Sequence, residues 1–282
     1  MIKKLLLIFL FTYPQFSHSS VEVDFNIWLK KFKITAHEEG ISEETINNSL
    51  KNAKYLEQVI KYDRYQPEFF EDTKTYIKKR ATRSRMLKAK GLLIKNKKLF
   101  DEVEKEFKVE KELLLALWGI ETNFGKHVGK MDIISSLATL SFDKRRSEFF
   151  SKELIILLKL IDQKLIDIDT LYGSWAGAFG NFQFMPSTIE NYAIDYDKNG
   201  KIELKQSLPD AVASAANYIS KIGWEYQSSC FHKVELTKPI SKKYINTSAK
   251  KIKNYQTIKL WKKKGIVDIE QISDKNKAAL VI

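Results

Sequence analysis

Apolar residues recur at helical spacing along most of the chain. Five segments have apolar positions three or four residues apart, the spacing of one helix face: 24–36, 41–60, 66–95, 110–123 and 147–166. Five prolines and eleven glycines in 282 residues leave few places where such helices would break. The pattern therefore predicts a mainly α-helical protein that is large enough to bury a sizeable core.

The pattern changes after Gly223. Residues 230–236 alternate between apolar and polar side chains, as a strand does, and a polar linker and a short helix over 253–263 follow. The chain then ends on the apolar run Ala278–Ile282. Because an unpaired β-prone segment invites association, this run needs a partner strand within the domain, or else the domain is incomplete. We expect a small C-terminal region of mixed α and β structure.

The first residues have the pattern of an export signal. Met1–Phe11 combines two lysines with a short apolar run, and Ser17 and Ser19 supply small residues at the spacing of a signal-peptidase site. The run is too short to span a bilayer, so residues 1–19 predict a cleaved signal peptide without a transmembrane anchor. An N-terminal helix packed on the core is the alternative. Since Cys230 is the only cysteine, neither a lipoprotein anchor nor an internal disulfide is expected.

The chain is strongly basic, with 48 lysines and arginines, 35 acidic residues and a net charge of +13. Export argues against nucleic acid as the partner, and the lysines are spread along the chain. A basic, solvated surface explains the charge, and so does attraction to an anionic polymer such as the cell wall or to a membrane surface. Charge alone does not choose between them.

One acidic residue shares a helix face with apolar residues. Leu114, Leu117, Trp118 and Glu121 are spaced i, i+3, i+4 and i+7, so a helix brings them to one side. Desolvation on such a face favours the neutral carboxyl and raises the pKa of Glu121, as a general acid near neutral pH requires. The alternative is that Glu121 only ends the helix, solvated or paired with an arginine.

A second signal lies about 60 residues later. Gly173–Gly180 consists of small residues with two aromatics, which lets the backbone approach a ligand and offers flat faces to sugar rings. Gln183 can both donate and accept hydrogen bonds, and Pro186 suits the first position of a following helix. A tight turn between two helices, with aromatics in the core, is the alternative.

Together these segments carry a family resemblance. Glu121–Phe124, Gly180–Thr188 and Ala216–Tyr218 resemble the three signature segments of lytic transglycosylases with a goose-lysozyme-like fold. More narrowly, the sequence resembles the lytic murein transglycosylase B family over roughly residues 55–225. The stretches that carry this narrower resemblance are Asp63–Glu68, Trp118–Glu121, Ser136–Phe142 with Arg145 and Arg146, and Gly173–Ala178.

The resemblance implies a lysozyme-like helical core that needs no cofactor and cleaves the β-1,4 bond between N-acetylmuramic acid and N-acetylglucosamine in peptidoglycan. In that family a single glutamate, here Glu121, protonates the leaving oxygen. It then acts as a base while the 6-hydroxyl of muramic acid attacks its own anomeric carbon, which leaves a 1,6-anhydro end. Residues 173–188 contain no obvious second acid, which agrees with this chemistry because an intramolecular nucleophile replaces the second carboxylate of ordinary glycosidases.

The same resemblance implies a location, partners and glycan contacts. We expect a periplasmic protein whose partners are peptidoglycan strands and cell-wall synthases, not nucleic acid. A truncated, non-catalytic peptidoglycan-binding protein and a hydrolytic muramidase on the same fold are the alternatives. The residues assigned to substrate binding are Phe124, Ser174, Gln183 and Tyr218, together with Arg145 and Arg146 for stem-peptide carboxylates.

Residues 195–206 follow the spacing of an EF-hand-type calcium loop. Oxygen-bearing side chains occupy positions 1, 3 and 5, and glycine follows at position 6. Position 12 is Gln206, where a carboxylate is expected, so a structural calcium ion and a turn rich in Asp and Asn stay equally open. The candidate ligands are Asp195, Asp197, Asn199, Lys201 and Glu203.

The expected organisation has four parts. A signal peptide over 1–19 precedes an N-terminal helical region over 20–100, a lysozyme-like catalytic core over 101–228 and a small α+β region over 229–282. The family normally continues with a segment that contains Tyr-Asn and Tyr-Ala pairs and closes the groove. No such segment follows in this sequence, so we expect a shortened C-terminal region.

Overall fold

The computed structural model describes residues 18–65, 73–229, 231–247, 252–269 and 271–281. Helices dominate these ranges, which confirms the mainly α-helical fold class. The expected signal peptide up to residue 17 and Cys230 lie outside the described residues. The helices are α1 (His18–Glu38), α2 (Glu43–Leu50), α3 (Glu57–Arg64), α4 (Thr73–Arg80), α5 (Arg83–Lys95), α6 (Lys97–Phe107), α7 (Lys111–Thr122), α8 (Ile133–Phe142), α9 (Ser147–Asp162), α10 (Pro186–Tyr192), α11 (Leu208–Lys221) and α12 (Ile258–Lys263).

One hydrophobic core joins the helices from α1 to α11, except α4, which contributes no residue to it. Its buried residues extend from Phe25 to Ile219, so the regions before and after residue 100 share it. At its centre lies α8, whose residues from Ile133 to Ser141 are all buried. Apolar or small residues on every side suit a helix that is surrounded by protein. α9 packs along α8 and contributes Leu157 to the same core.

The predicted helix over 41–60 is two helices in the structure, α2 and α3. Between them the backbone N–H of Lys54 donates to the Ser135 hydroxyl over 3.1 Å. The N–H of Leu56 donates to the Thr139 hydroxyl over 2.9 Å. Because these hydroxyls of α8 replace the carbonyl partners that a continuous helix would supply, the chain is extended at this point.

The predicted helix over 66–95 also divides, and its first residues, 66–72, lie outside the described ranges. α4 ends at Arg80, and Thr82 then accepts the backbone N–H of Arg85 through its side chain at 3.3 Å. Since threonine in an extended conformation is a favourable N-cap, α5 begins there as a separate helix.

In the part of the chain that the structure describes, the strands form four two-stranded ladders, each two residues long. One of them joins the two halves of the candidate site, because β1 and β2 are antiparallel partners that pair Met131 with Gly173. The other three lie in the C-terminal region. The strands are β1 (Met131–Asp132) with β2 (Tyr172–Gly173), β3 (Glu235–Leu236) with β6 (Ile266–Val267), β4 (Ile245–Asn246) with β8 (Leu280–Val281), and β5 (Gln256–Thr257) with β7 (Lys277–Ala278).

The C-terminal region has its own small hydrophobic cluster, which includes Trp261 and Leu280. Of the alternating stretch 230–236, the described residues 231–236 contain one strand, Glu235–Leu236. The helix expected over 253–263 begins at Ile258. β8 pairs in parallel with β4, so the apolar run near the end of the sequence does have a partner strand. Across all the described ranges, no helix is both long enough and apolar enough to cross a bilayer.

Candidate active site

α7 carries Glu121 in its last turn. The buried side of this helix includes Leu114, Trp118 and Thr122. Glu121 flanks that side and its side chain is exposed, so the carboxyl lies at the edge of the apolar face rather than within it. Successive residues of a helix turn by about 100°, which places position 121 just outside the arc that the buried residues occupy.

The carboxyl of Glu121 reaches solvent on one side, yet enough protein surrounds it to disfavour the charged form. Desolvation therefore raises the pKa of Glu121 above its ordinary value of 4.5, in the predicted direction. Among the described residues it has no hydrogen-bond or ion-pair partner, so the alternative of pairing with an arginine does not hold within them. In contrast, the hydrogen bond from Lys152 lowers the pKa of Glu148.

Buried Asn181 joins the end of α7 to the glycine-rich turn. Its side-chain oxygen accepts the indole N–H of Trp118, and its backbone carbonyl accepts the Thr122 hydroxyl, both at 2.8 Å. Its side-chain amide donates to the backbone carbonyls of Leu204 and Lys205 at 3.0 and 3.2 Å. Because both polar atoms of this side chain are bonded, the turn is fixed against the helix that carries the candidate acid.

Phe124 folds back onto α7. Its ring lies edge-on to Trp118, with centroids 5.6 Å apart, and a Cβ on Gly119 would come within 2.8 Å of it. The ammonium of Lys88 lies 5.0 Å from the ring centroid and donates to the carbonyl of Asn123 over 3.1 Å. Phe124 therefore takes part in the packing of α7, and its predicted contact with a glycan stays a prediction.

Ser174 closes a tight loop of small residues. Its hydroxyl accepts the backbone N–H of Ala178 at 3.0 Å, and its own N–H donates to the Ala178 carbonyl at 2.7 Å. Within the loop Gly177 has a φ of +90°, and a Cβ there would lie 2.4 Å from Leu137. Glycine is therefore required at this position, as the run of small residues indicates.

The segment after α7 lies directly against this loop. A Cβ on Gly129 would come within 2.0 Å of the carbonyl oxygen of Gly173, closer than any real contact allows. Met131 pairs with Gly173 immediately afterwards. The two sequence signals, which are far apart in the chain, thus form one continuous surface.

Gln183 is hydrogen-bonded to the segment that precedes Met131, and Tyr218 packs against the residue that follows Gln183. Gln183 has a left-handed backbone with a φ of 52°, and its side-chain amide donates to the carbonyls of Val128 at 3.1 Å and Gly180 at 3.0 Å. No described residue donates to its side-chain oxygen, so that oxygen is available to a ligand. The ring of Tyr218 lies 5.7 Å from the ring of Phe184, which directly follows Gln183 in the sequence.

A buried acid that the sequence signals did not reveal holds the start of α10. Glu153 of α9 accepts the backbone N–H of Ser187 at 2.9 Å and its hydroxyl at 2.7 Å. Ser187 follows Pro186, which opens the helix as predicted. An anion is favourable at a helix N-terminus, so both oxygens of this carboxylate stabilise the start of α10. In the sequence, the only indication of this role is that Glu153 directly precedes the apolar run Leu154–Leu158.

Arg145 and Arg146 both bind buried Asp63. Arg145 donates through Nε at 2.7 Å, Arg146 donates to the other carboxylate oxygen, and Arg64 adds a bond of 2.8 Å. Burial by itself raises the pKa of Asp63, but the hydrogen bonds from Arg145 and Arg146 outweigh it, so this pKa lies below the ordinary 3.8. Each of these two side chains stays partly exposed, at 44% and 39%, and their role in binding stem peptides stays a prediction.

The predicted calcium loop brings three carboxylates together, one of them from outside the predicted ligands. Asp195, Asp197 and Asp210 each place an oxygen within 4.8 Å of the other two. The N–H of Gly200, whose φ is +91°, donates to Asp195 at 2.7 Å. Asp210, buried in the first turn of α11, thus supplies the charge that Gln206 lacks. Three converging carboxylates fit a calcium ion.

Hydrogen bonds within the loop engage the other predicted ligands. The side-chain oxygen of Asn199 accepts the N–H of Lys201 at 2.9 Å, and the amide of Asn199 donates to Glu203 at 2.9 Å. The Oδ2 atom of Asp210 accepts one backbone N–H group, that of Glu203 at 3.0 Å, whereas its Oδ1 atom accepts two, including that of Tyr196 at 2.9 Å. Since a carboxylate oxygen has two lone pairs, Oδ2 keeps one for a cation.

Comparison with known proteins identifies one family of similar chains. The family described as "Transglycosylase SLT domain" matches residues 24–282. The membrane-bound lytic murein transglycosylase B of Escherichia coli (strain K12) is 43% identical over 117 residues, which are 41% of this chain and 32% of that protein. The match thus spans about a third of the relative's length.

Solved structures agree over most of the chain. SltB3 from Pseudomonas aeruginosa, in complex with NAG-NAM-pentapeptide, has a TM-score of 0.84 and 28% identity, covering 92% of this chain and 69% of that one. The same protein in complex with NAG-anhNAM-pentapeptide has a TM-score of 0.82 and the same identity and coverage. Escherichia coli Slt35 in complex with calcium has a TM-score of 0.73 and 26% identity, covering 96% of this chain and 85% of that one. These similarities confirm the lysozyme-like helical fold expected from the sequence.

Proposed function

Because the chain belongs to the Transglycosylase SLT domain family, we propose that it is a peptidoglycan lytic transglycosylase. It cleaves the β-1,4 bond between N-acetylmuramic acid and N-acetylglucosamine and leaves a 1,6-anhydromuramic end. The observation that carries this proposal is Glu121, a carboxyl with a raised pKa and no partner among the described residues, on a helix that buried Asn181 fixes to the glycine-rich turn. No cofactor takes part in the chemistry.

Glu121 enters the reaction protonated, as its raised pKa favours. Its proton passes to the glycosidic oxygen as the bond from that oxygen to the anomeric carbon of muramic acid breaks, and the bonding electron pair stays with the oxygen. The carboxylate then takes the proton of the 6-hydroxyl of the same sugar while that oxygen bonds to the anomeric carbon. The carboxylic acid is thereby regenerated, and no water is consumed.

A single acid suffices in this scheme because the nucleophile belongs to the substrate. A hydrolytic glycosidase needs a second carboxylate as nucleophile or as base for water. The buried carboxylate of Glu153 is engaged by Ser187, whereas the carboxyl of Glu121 has no partner among the described residues. Holding the 6-hydroxyl close to the anomeric carbon gives an intramolecular attack a large advantage over water.

The ligands of a structural relative support the substrate class. SltB3 was solved with NAG-NAM-pentapeptide and with NAG-anhNAM-pentapeptide, and the second contains an anhydro sugar of the kind proposed as the product here. At 28% identity over 92% of this chain, a related substrate is the simplest inference for this protein.

We assign the glycan contacts to side chains around Glu121. The unbonded oxygen of Gln183 accepts a sugar hydroxyl or amide N–H, and Ser174 and Tyr218 border the same surface. Phe124 offers an aromatic face beside the acid. Arg145 and Arg146 complete the assigned substrate contacts. Their solvent-exposed parts attract the carboxylates of stem peptides.

We further propose a structural calcium ion, a periplasmic location and cell-wall synthases as partners. Asp195, Asp197 and Asp210, with Asn199, would hold the ion, which would stiffen the loop between α10 and α11. The complex of Slt35 with calcium supports this assignment. Peptidoglycan lies outside the cytoplasmic membrane, so the substrate requires export, in agreement with the signal-like first residues. Co-purification with crosslinked synthases tests the last of these proposals.

Mass spectrometry of digested peptidoglycan tests the activity. The full chain and Glu121→Gln are incubated with purified sacculi, with Glu112→Gln, another exposed acid of α7, as the matched control. We expect anhydro ends from the native protein and from the control, and none from Glu121→Gln. Reducing ends would indicate a hydrolytic muramidase, and binding without any product would indicate a non-catalytic peptidoglycan-binding protein. Anhydro ends from Glu121→Gln would refute the catalytic assignment.

A further inference from the structure

One stretch of this chain has many basic residues and no acid to offset them. Between Thr73 and Lys98 the sequence has eleven lysines and arginines and no acidic residue, whereas the whole chain has a net charge of +13. This stretch spans α4, α5 and the first two residues of α6. The catalytic proposal uses none of these residues, so their charge calls for a separate explanation.

α5 lies at the surface with two distinct sides. Its inner side, which includes Leu92 and Leu93, is half-buried against α6 and α7, and no residue of the helix is fully buried. On its outer side Met86, Leu87 and Ile94 are 48%, 55% and 78% exposed. Three large apolar side chains in water on one helix side mark an interaction surface rather than part of the core.

Basic residues share this outer side. Arg83 and Lys90 lie at helical spacing from Met86, Leu87 and Ile94, so all five occupy one arc of the helix. Neither Arg83 nor Lys90 has an ion-pair partner among the described residues, and both are exposed. The arc thus combines free cations with apolar side chains and has no acid.

We propose that the outer side of α5 is a docking surface for an anionic lipid bilayer. A bilayer can bind both kinds of side chain on this arc. Its phosphates attract Arg83 and Lys90. The apolar side chains of Met86, Leu87 and Ile94 enter the layer just beneath the headgroups. Long basic side chains suit this position, since their stems pack against apolar groups while their charges stay in water.

Two other occupants explain less of the surface. A glycan strand with stem peptides offers carboxylates, but it has no continuous apolar layer into which Ile94 could insert. A second copy of this chain in a symmetric contact would place one acid-free basic arc against another, which like charges oppose. The apolar residues therefore decide between the cell wall and the membrane, which net charge alone did not.

Co-sedimentation of the full chain with vesicles tests the proposal. We expect binding to vesicles of phosphatidylglycerol and phosphatidylcholine, weakened by salt, and little binding to phosphatidylcholine alone. Arg83→Glu combined with Lys90→Glu should lower partitioning by about 30-fold or more, because each basic residue near an anionic surface contributes roughly fivefold. Met86→Ser combined with Ile94→Ser should also lower it, although the net charge is unchanged.

A matched charge reversal provides the control. Lys259→Glu combined with Lys263→Glu changes the net charge equally, at two exposed lysines of α12. This control should keep most of the vesicle binding, and circular dichroism should show all variants folded. Equal losses from the two charge reversals, or equal binding to neutral and anionic vesicles, would overturn the proposal. So would a loss of sacculus binding, with vesicle binding intact, in the α5 variants.

Discussion

Trp118 donates its indole N–H to the side-chain oxygen of Asn181 over 2.8 Å, and both residues are buried. The bond connects the helix that carries Glu121 to the turn that precedes Gln183. The candidate acid and the candidate glycan-binding amide are therefore held in a fixed relation by a contact that neither of them makes. Buried hydrogen-bonded links of this kind keep the members of a site in place before substrate binds.

Replacing Asn181 by leucine keeps the approximate volume but removes this link. The N–H of Trp118 and the carbonyl of Lys205 then lose their partner, and a buried polar group without one costs about 1–3 kcal/mol. We expect urea denaturation to show a loss of about 2–3 kcal/mol, with anhydro-product formation reduced even where the protein is folded. Asn191→Leu, at an exposed asparagine of α10, should stay within about 0.5 kcal/mol. Similar losses for both variants would argue against the link.

Glu121→Gln should abolish turnover and stabilise the protein at neutral pH. Its folded-state pKa is above the ordinary 4.5, so between these two values the folded state binds more protons than the unfolded one. Ionisation of Glu121 therefore lowers stability as pH rises from 4.5 through the raised pKa. Below 4.5 the group is protonated in both states and contributes nothing.

Thermal melts of the native protein and Glu121→Gln across pH measure this effect. We expect the melting temperature of the variant to exceed that of the native protein by an amount that grows with pH. The difference should vanish in acid. A difference that is constant at all pH values would mean that desolvation of the carboxyl is not its cause.

Apolar spacing predicts helices such as α7 and α9 well because their core-facing residues recur within one segment. It fails at 41–60, where the interruption depends on Ser135 and Thr139, which are 81 and 83 residues away from their partners. A periodic pattern contains no information on hydroxyl groups that distant residues supply. The division into two helices is therefore a property of the tertiary structure.

The sequence likewise predicts some residues of the candidate site and misses others. Glu121, Gln183 and the loop of Ser174 are recognisable because short motifs surround them. Asp210 and Glu153 are not, because each acts across the fold on a segment that has its own motif. The motifs do not reveal the residues that hold them in place by hydrogen bonds. Those residues lie in segments that have no recognisable motif of their own.

Calcium should stabilise the protein through Asp210 and not through Gln206. A ligand at about a hundredfold excess over its dissociation constant adds roughly 2.7 kcal/mol to the stability of the folded state. We expect the chelated protein to gain melting temperature when calcium is added, and Gln206→Ala to retain this gain. Asp210→Asn should lose it, because one of the three converging carboxylates is neutralised. If chelator did not change the melting temperature of the native protein, the loop would be a hydrogen-bonded turn without a bound ion.

Asp63→Asn should destabilise the protein and make its stability less sensitive to acid. The pKa of Asp63 lies below the ordinary 3.8, so its contribution is present above 3.8 and is lost as pH falls through the lower folded-state value. At neutral pH we expect a loss of about 1–3 kcal/mol by urea denaturation, since Arg145 and Arg146 lose a shared buried acceptor. The loss should shrink in acid. Glu148→Gln, in an exposed pair with Lys152, serves as the control and should change stability little.

Gly129→Ala should be far more costly than Gly40→Ala, although both glycines have a positive φ, +90° and +84°. Each substitution carries the strain of that backbone conformation, about 1–3 kcal/mol. A Cβ at Gly129 would also meet the carbonyl oxygen of Gly173 at 2.0 Å, whereas nothing lies within 4 Å of one at Gly40.

Overpacking of this kind costs about 1–3 kcal/mol, so we expect urea denaturation to separate the two alanine variants by that amount. Relief of the clash must move the segment that follows Glu121 away from the loop of Ser174. Product formation should therefore fall in Gly129→Ala and persist in Gly40→Ala at a temperature where both are folded. If Gly129→Ala were as active and as stable as its control, the two sequence signals would not form one surface through this contact.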